Sequence, residues 1–505
     1  MKRLLLVLLL VTAGLVVPAR AEAAALRFVD IPGAGVTLKA NVATPAGSGL
    51  HPAVVMPSSW GLNDIEYVAQ AQALAARGYV VVSYTPRGWW LSGGEIDTAG
   101  PRDLADLSAV IDWVLANTPA DPGRIGAAGV SYGAGISLLG AGADPRIRAV
   151  GVLSGWTDLT SSLYGDDTRH RQAADLLGIA ASTLGRPGTD LSTKLADFAA
   201  NRNVDEVQAW ADERSAATHL AAINANHPAV LIANAWGDSF FPPGQLTSFF
   251  GGLTGPKRLE LRPGDHAIAE LTGLLGLPNA VWTSLYRWFD QYLAGVGTGI
   301  DDEPPVQLVP WNAPAEQYAS WPSFSARELH LGRAGLLGSP SAEAWTKSLP
   351  TDKDTIAGGG VVLLTNGAAA FTGQRPKIWL PAVDRTRAGV WAAARPATVQ
   401  RLRGSPRLHL ALRNTPPTGT IVAYLYDLDA LGTATLITHA PASWLGTTPG
   451  DRTLDVDLWP TAYDVPAGHS LTLVVDTTDP LYYDENAPGR TITVATGSRL
   501  DVPIR

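Results

Sequence analysis

Between residues 51 and 295, short unbroken apolar runs alternate with amphipathic helical stretches, and this alternation is the strongest constraint the chain carries. The runs are HPAVVMP (51–57), YVVVSY (79–84), RIGAAGV (124–130), RAVGVLS (148–154), PAVLIAN (228–234) and KRLELR (257–262). Each is too short for a helix and apolar on both faces, as a strand covered on both sides must be. Residues 64–78 read as a helix that Asp64 caps and Gly78 stops. Residues 103–117 place Leu104, Leu107, Val110, Ile111, Val114 and Leu115 on one face, and residues 279–295 form a closing helix. Strands alternating with helices predict an α/β fold with a parallel, doubly wound sheet, whose sites lie at the carboxyl ends of the strands. Residues 26–46 supply a preceding strand pair. Residues 155–226 carry helical pieces and no strand, so they are expected to form a cap over the sheet. After Gly295 the texture changes to a Pro- and Asp-rich passage and then to short alternating runs such as RLHLALRN, TIVAYLYDLD and SLTLVVDTT, the pattern of an all-β sandwich or jelly roll. The expected division is a signal peptide at 1–21, an α/β domain at 22–308 and a jelly-roll domain at 309–505.

GVSYGAG (129–135) lies between a predicted strand and a helix of small residues. Gly-x-Ser-x-Gly in that setting is a nucleophile elbow, in which the serine sits on a tight turn above the sheet. A serine hydroxyl needs a base to take its proton and a third group to orient that base. In α/β hydrolases the acid and then the histidine follow the serine in the chain. Of nine histidines, His51 precedes Ser131, His170 and His219 fall in the cap, and His227 begins a strand. His330, His409, His439 and His469 lie in the β domain, which leaves His266, just past KRLELR. Asp238 follows PAVLIAN and is the candidate acid; Asp265 adjoins His266, but adjacent side chains diverge.

The oxyanion that forms needs donors aimed at it. One is the backbone N–H of Tyr132, and the other comes from PSSWG (57–61). There the N–H of Ser59 or Trp60 and the hydroxyl of Ser58 compete, with Trp60 preferred. Trp60, Trp89, Trp90, Trp156 and Trp236 are candidates for an apolar acyl pocket or for packing under the cap; Trp236 and Phe240, beside Asp238, are assigned to substrate binding.

Lys2-Arg3, an apolar stretch at 4–17 and Ala19-Arg20-Ala21 form a secretory signal pattern, with cleavage expected after Ala21 and Ala23 or Ala25 as alternatives. The apolar stretch is shorter than the ~20 residues of a membrane span, so no stable membrane anchor and a secreted product are expected. Removing Lys2, Arg3 and Arg20 takes the net charge from −8 to −11, which argues against a nucleic-acid partner. Zero cysteines exclude disulfides, thiolate metal sites and a cysteine nucleophile. Without HExxH or a calcium-loop spacing, neither a metal nor a cofactor is expected.

YTPRGWWLSGGE (84–95), GVSYGAG, WGD (236–238), GDH (264–266), YRWFDQYLAG followed by EPPVQLV, and RGSPRLHLAL, AYLYDLD and VPAGHSLTLVV occur in that order. Together they resemble the cocaine esterase and X-prolyl dipeptidyl-peptidase-like serine hydrolases over nearly all of the chain beyond the signal stretch. The resemblance implies a catalytic domain, a helical cap and a jelly roll that closes over one flank of the site. Two departures stand out. Members like cocaine esterase place an oxyanion tyrosine after the strand proline, where this chain has Ser58. The branch acting on α-amino-acid esters carries acidic residues two and three positions after the triad aspartate, where this chain has Phe240 and Phe241. The expected activity is hydrolysis of small-molecule esters or amides, or of short peptides, through an acyl-enzyme. The alternatives are an X-prolyl dipeptidyl-peptidase, a catalytically inactive scaffold that binds glycan or cell-wall polymer, and acyl transfer to an acceptor other than water. The sequence does not fix the oligomeric state.

Overall fold

A computed structural model describes residues 25–340, 342–351 and 353–505; the signal stretch at 1–21 lies outside them. The amino-terminal half is built on a ten-stranded sheet. It opens with the antiparallel pair β1 (Ala25–Pro32) and β2 (Thr37–Thr44). β3 (His51–Pro57), β4 (Val80–Tyr84), β5 (Ala120–Val130), β6 (Ile147–Leu153), β7 (Ala229–Ala235) and β8 (Lys257–Arg262) follow. The spatial order is β1-β2-β4-β3-β5-β6-β7-β8, and every neighbouring pair from β4 to β8 is parallel. Strands β4 and β7 are buried along their whole length, as their apolar runs require.

Helices cover both faces. α1 (Val68–Ala75) and α11 (Ala280–Phe289) bury Ala71, Leu74, Trp282, Leu285 and Trp288 on one side. α2 (Pro101–Asn117), with proline at its first position, and α3 (Tyr132–Ala143) pack Leu107, Val110, Ile111 and Leu138 on the other. Between β6 and β7 the chain forms the expected helical excursion: α4 (Leu159–Leu163), α5 (Arg171–Leu184), α6 (Gly188–Ala200), α7 (Val204–Glu213) and α8 (Leu220–Asn226).

The boundary drawn at 308 falls inside the sheet. β9 (Val306–Leu308) continues it in parallel beside β8, and β10 (Glu316–Tyr318) pairs back on β9, so a passage rich in Pro and Asp is a hairpin rather than a linker. The remainder is a β domain with an eleven-stranded sheet and a two-stranded one, interrupted by a single α-helix among the described residues, α12 (Leu364–Thr372). One buried apolar cluster runs without a break from the α/β sheet through the cap into this domain, through Val362, Tyr424 and Tyr482. Among the described residues no helix is long and apolar enough to cross a membrane.

Candidate active site

Ser131 follows β5 directly and starts α3 at φ 57°, ψ −116°. That conformation costs a non-glycine residue about 1–3 kcal/mol, and it is sustained here by close packing on both sides. A Cβ at Gly129 would collide with Gly133, and one at Gly133 would collide with the carbonyl of Pro57. The two glycines of the motif therefore let strand, turn and β3 close to contact distance. The Ser131 N–H donates to Leu153 O across the β5–β6 edge, which fixes the turn to the sheet.

His266 follows β8, and its Nε2 lies 2.8 Å from Ser131 Oγ. Its Nδ1 lies 3.0 Å from Asp238 Oδ2 and 3.2 Å from Oδ1. Asp238 follows β7 and is fully buried. Its Oδ1 also accepts the N–H groups of Phe240 and Phe241, at 2.9 and 2.8 Å. With Nδ1–H donating to Asp238, Nε2 is left to accept from the Ser131 hydroxyl. Burial pulls the His266 ring down, but the Asp238 carboxylate outweighs it, helped by Asp265 and Glu270, and the ring is held above its ordinary value. Asp265 points elsewhere: its Oδ1 takes Ser239 N, Ser239 Oγ and the His266 N–H, so it braces the loop rather than the ring.

The three contenders in PSSWG separate cleanly. Ser58 Oγ donates to Leu62 O. The Ser59 N–H and hydroxyl are both taken by Glu66, at 2.7 and 2.6 Å. Burial pushes the Glu66 carboxyl up to about 7. The Trp60 N–H has no protein acceptor among the described residues, and neither has the Tyr132 N–H at the start of α3. The Tyr132 side chain is anchored behind it: its hydroxyl donates to Asp103 Oδ2 at 2.5 Å, and its ring meets Trp60 edge-on with centroids 5.1 Å apart.

Ser131 opens into a cavity between the sheet and the cap. Trp60, Trp156 and Phe241 wall it from the sheet side, and Leu163, Leu177, Leu195 and Val207 from the cap. Among the described residues no Asp or Glu lines it. Trp236 does not reach it: its indole N–H donates to Val309 O at 2.7 Å and its ring packs on Trp321, because β9 and β10 draw it sideways. Phe240 is not a wall either; its ring stands edge-on to His266 with centroids 4.7 Å apart and steadies the imidazole. The next residue, Phe241, is the one that touches both the cavity and His266. Trp89 is buried behind Trp60 and Trp90 is exposed.

Sequence reasoning missed two contributors. Asn366, from α12 of the β domain, donates to Gly237 O at 3.1 Å, and Leu363 N donates to Ser239 Oγ at 3.1 Å, so the β domain holds the Asp238 loop. The missing alternation around TNGAAAF was the available signal. Thr98 is the other; it lines the cavity from a buried loop that has no motif of its own.

Comparison with known proteins agrees with this architecture. Residues 34–268 match the profile of X-Pro dipeptidyl-peptidase (S15 family), and residues 298–501 match that of the X-Pro dipeptidyl-peptidase C-terminal non-catalytic domain. An α-amino acid ester hydrolase structure superposes with a TM-score of 0.75 at 17% identity, covering 98% of this chain and 99% of that one. A CocE/NonD family hydrolase from Staphylococcus aureus gives 0.71 at 15% identity, covering 95% and 97%. A putative Xaa-Pro dipeptidyl-peptidase of Bacillus anthracis is 22% identical over 275 residues, which is 50% of this chain and 44% of the relative. The chain matches less than half the length of the first curated relatives it resembles. The chain thus carries a domain similar to the X-Pro dipeptidyl-peptidase (S15) family at residues 34–268 and one similar to its C-terminal non-catalytic domain at residues 298–501, on an α/β-hydrolase fold with a carboxy-terminal β domain.

Proposed function

We propose that the chain is an exported hydrolase of esters or amides that works through an acyl-enzyme on Ser131. The observation that carries this is the unbroken hydrogen-bonded series Ser131 Oγ–His266 Nε2, His266 Nδ1–Asp238, at the carboxyl ends of the parallel strands β5, β7 and β8. In this reading His266 takes the Ser131 proton as the oxygen attacks the acyl carbonyl, and Asp238 stabilises the imidazolium and fixes its tautomer. The N–H groups of Tyr132 and Trp60 receive the oxyanion. His266 then protonates the leaving group, and water, activated by the same ring, releases the acyl group. An inactive polymer-binding scaffold would have no use for a strained serine bonded to a charged pair.

The family profile brings X-prolyl dipeptidyl-peptidase activity into consideration. Such a peptidase must hold a substrate ammonium, and among the described residues the cavity beside Ser131 has no carboxylate in its wall, with Phe240 and Phe241 beyond Asp238. An ester or amide with an uncharged acyl group is the better-supported substrate. Export rests on the charged start, apolar stretch and Ala19-Arg20-Ala21 of the sequence, and amino-terminal sequencing of the extracellular product tests it.

A fluorophosphonate probe is expected to label the wild type and not Ser131→Ala, with ester turnover falling ~10⁴-fold or more in the variant. Equal labelling of both would refute the reading. Turnover of an Ala-Pro-arylamide in preference to a 4-nitrophenyl alkanoate would replace it with the peptidase.

A further inference from the structure

The helices of the cap carry apolar stripes that do not close on one another. Leu191, Leu195 and Phe198 recur at helical spacing on α6, and Val207, Trp210 and Ala211 do so on α7. In a packed core such stripes interlock and disappear from the accessible surface. α2 shows that case against the sheet, where Leu107, Val110, Ile111 and Val114 are at most 1% exposed. In the cap, Leu195, Phe198, Val207 and Trp210 stay only half-buried, as does Leu177 of α5, although all of them line the cavity that reaches Ser131. The cap therefore keeps a hollow where its own core would otherwise close. An apolar hollow left unfilled opposes folding, and this one opens at the nucleophile.

The wall is mostly hydrocarbon, because its polar side chains bond to the protein. The Tyr164 hydroxyl donates to Asn201 Oδ1 and the Thr160 hydroxyl to Asp212 Oδ1. The indole N–H groups of Trp60, Trp156 and Trp210 go to Leu177 O, Arg214 O and Asp190 Oδ2. Lys194 faces Glu206 at 3.5 Å, and the Thr98 hydroxyl oxygen is buried behind the wall. Gln208 is half-buried on α7. From Leu191 to Phe198 the wall follows α6 for about two turns, or about 10 Å.

We infer that the hollow core of the cap receives a straight hydrocarbon chain, and that the substrates are esters of medium-chain fatty acids, of about eight to twelve carbons. This deepens the proposed function and rests on Ser131 as the nucleophile. An extended chain running from Ser131 past Trp60 and Phe241 meets the α6 stripe along its length and needs no polar partner there. The chain belongs to the acyl side. An alcohol must depart before water enters, whereas the acyl part stays on the serine through both steps and can be held in an enclosed site.

The test uses the purified chain and 4-nitrophenyl esters of straight-chain acids from acetate to palmitate, each below its micelle-forming concentration. kcat/KM should climb about threefold per added methylene to a maximum at about eight to twelve carbons, then fall. Ala174→Leu adds bulk to the hollow from α5 and should move the maximum to shorter acids, whereas Leu195→Ala deepens it and should move the maximum to longer ones. Ile179→Ser, on the exposed face of α5, should leave the maximum in place. A wild-type profile without a maximum would overturn the inference. So would an Ala174→Leu variant that melts higher with its maximum unmoved, since the hollow would then be a packing void. An equal shift in Ile179→Ser would put the chain on the outside of the cap, and a climb in alkyl acetates instead of the acyl series would put it on the alcohol; either rejects the assignment. If Ala174→Leu melts below the wild type, Leu195→Ala decides alone. Fluorophosphonate labelling of each sample separates the two claims: a labelled serine with a flat chain-length profile rejects the fatty-acyl site, and an unlabelled serine rejects the nucleophile beneath it.

Discussion

Two cavities meet at the loop after β7, and they are built on opposite principles. The one under the cap is walled by aromatic and aliphatic carbon, and its polar groups are turned away into the protein. The one between the cap, the loop and the β domain is lined by His170, Ser239, Asn366, His439, Trp459 and Tyr482. Here the polar groups bond to one another: Tyr482 OH with His439 Nε2 at 2.9 Å within the β domain, and Leu363 N to Ser239 Oγ across the domain boundary. Residues 237–241 present one face to each. Phe241 faces the serine, while Gly237 and Ser239 face the β domain. A cavity that must accept a substrate keeps its surface unbonded, and a cavity that only joins domains uses its bonds up. Asp238 sits between them, so the proposed acid is held in place by a domain that supplies none of the proposed reacting groups.

The largest test of that arrangement is Asp238→Asn. An amide at this position can present its N–H to His266 and reverse the tautomer, so kcat on a 4-nitrophenyl ester should fall ~10³–10⁴-fold. Asp265→Asn, which disturbs the bracing of the loop and not the Nδ1 bond, should cost ~10-fold or less; equal losses would show that the two carboxylates share the role. A smaller effect is expected from the far side of the loop. Asn366→Ala removes the bond to Gly237 O and leaves that buried carbonyl unpaired. The expected loss in kcat is about three- to tenfold, with a lower melting temperature, and KM for a small ester should change little. An unchanged kcat would mean that the loop holds its shape without the β domain.

How legible this was depends on distance in the sequence. The proposed nucleophile, acid and base each follow an apolar run at a strand end, and chain order plus nine histidines left one choice for the base. Strand and helix periods likewise gave the sheet and the cap, because each is a local pattern. What escaped was set by packing between distant segments. Trp236 looked like a pocket wall by adjacency to Asp238, yet β9 and β10 pair beside it and claim its indole. Phe240 and Phe241 are indistinguishable in sequence, and only the turn fixed by Asp238 Oδ1 decides which ring faces the serine. Asn366 acts across 129 residues, and Thr98 owes its position to Asp97, Asp103 and Arg214 together, a set no spacing rule connects.

The two sides of the loop should also answer to pH with opposite signs, which gives the smallest but most discriminating comparison. Beneath the His266 loop, burial pushes the Glu270 carboxyl up to about 7, although Ser154 donates to it. A carboxyl raised in the fold binds its proton more tightly there than in the unfolded chain. Its contribution is therefore complete below pH 4.5 and is lost as pH rises through 7, by roughly 3 kcal/mol. At the domain junction burial, reinforced by the charge of His439, pulls His170 down to about 3. A histidine lowered in the fold favours its neutral form there, so its contribution is complete above 6.5 and is lost as pH falls toward 3. Glu270→Gln keeps an acceptor for Ser154 and should flatten the stability loss between pH 5 and about 7.5. His170→Phe keeps the edge-on contact with Tyr482, whose ring centroid lies 5.1 Å away, and should flatten the acid side. Because His439 titrates in the same direction, only part of the acid sensitivity should vanish, a few degrees in melting temperature at pH 4 relative to pH 7. If His170→Phe moved the neutral-to-alkaline limb, or Glu270→Gln the acid one, the two sides of the loop would be coupled through Asp238 rather than insulated by it.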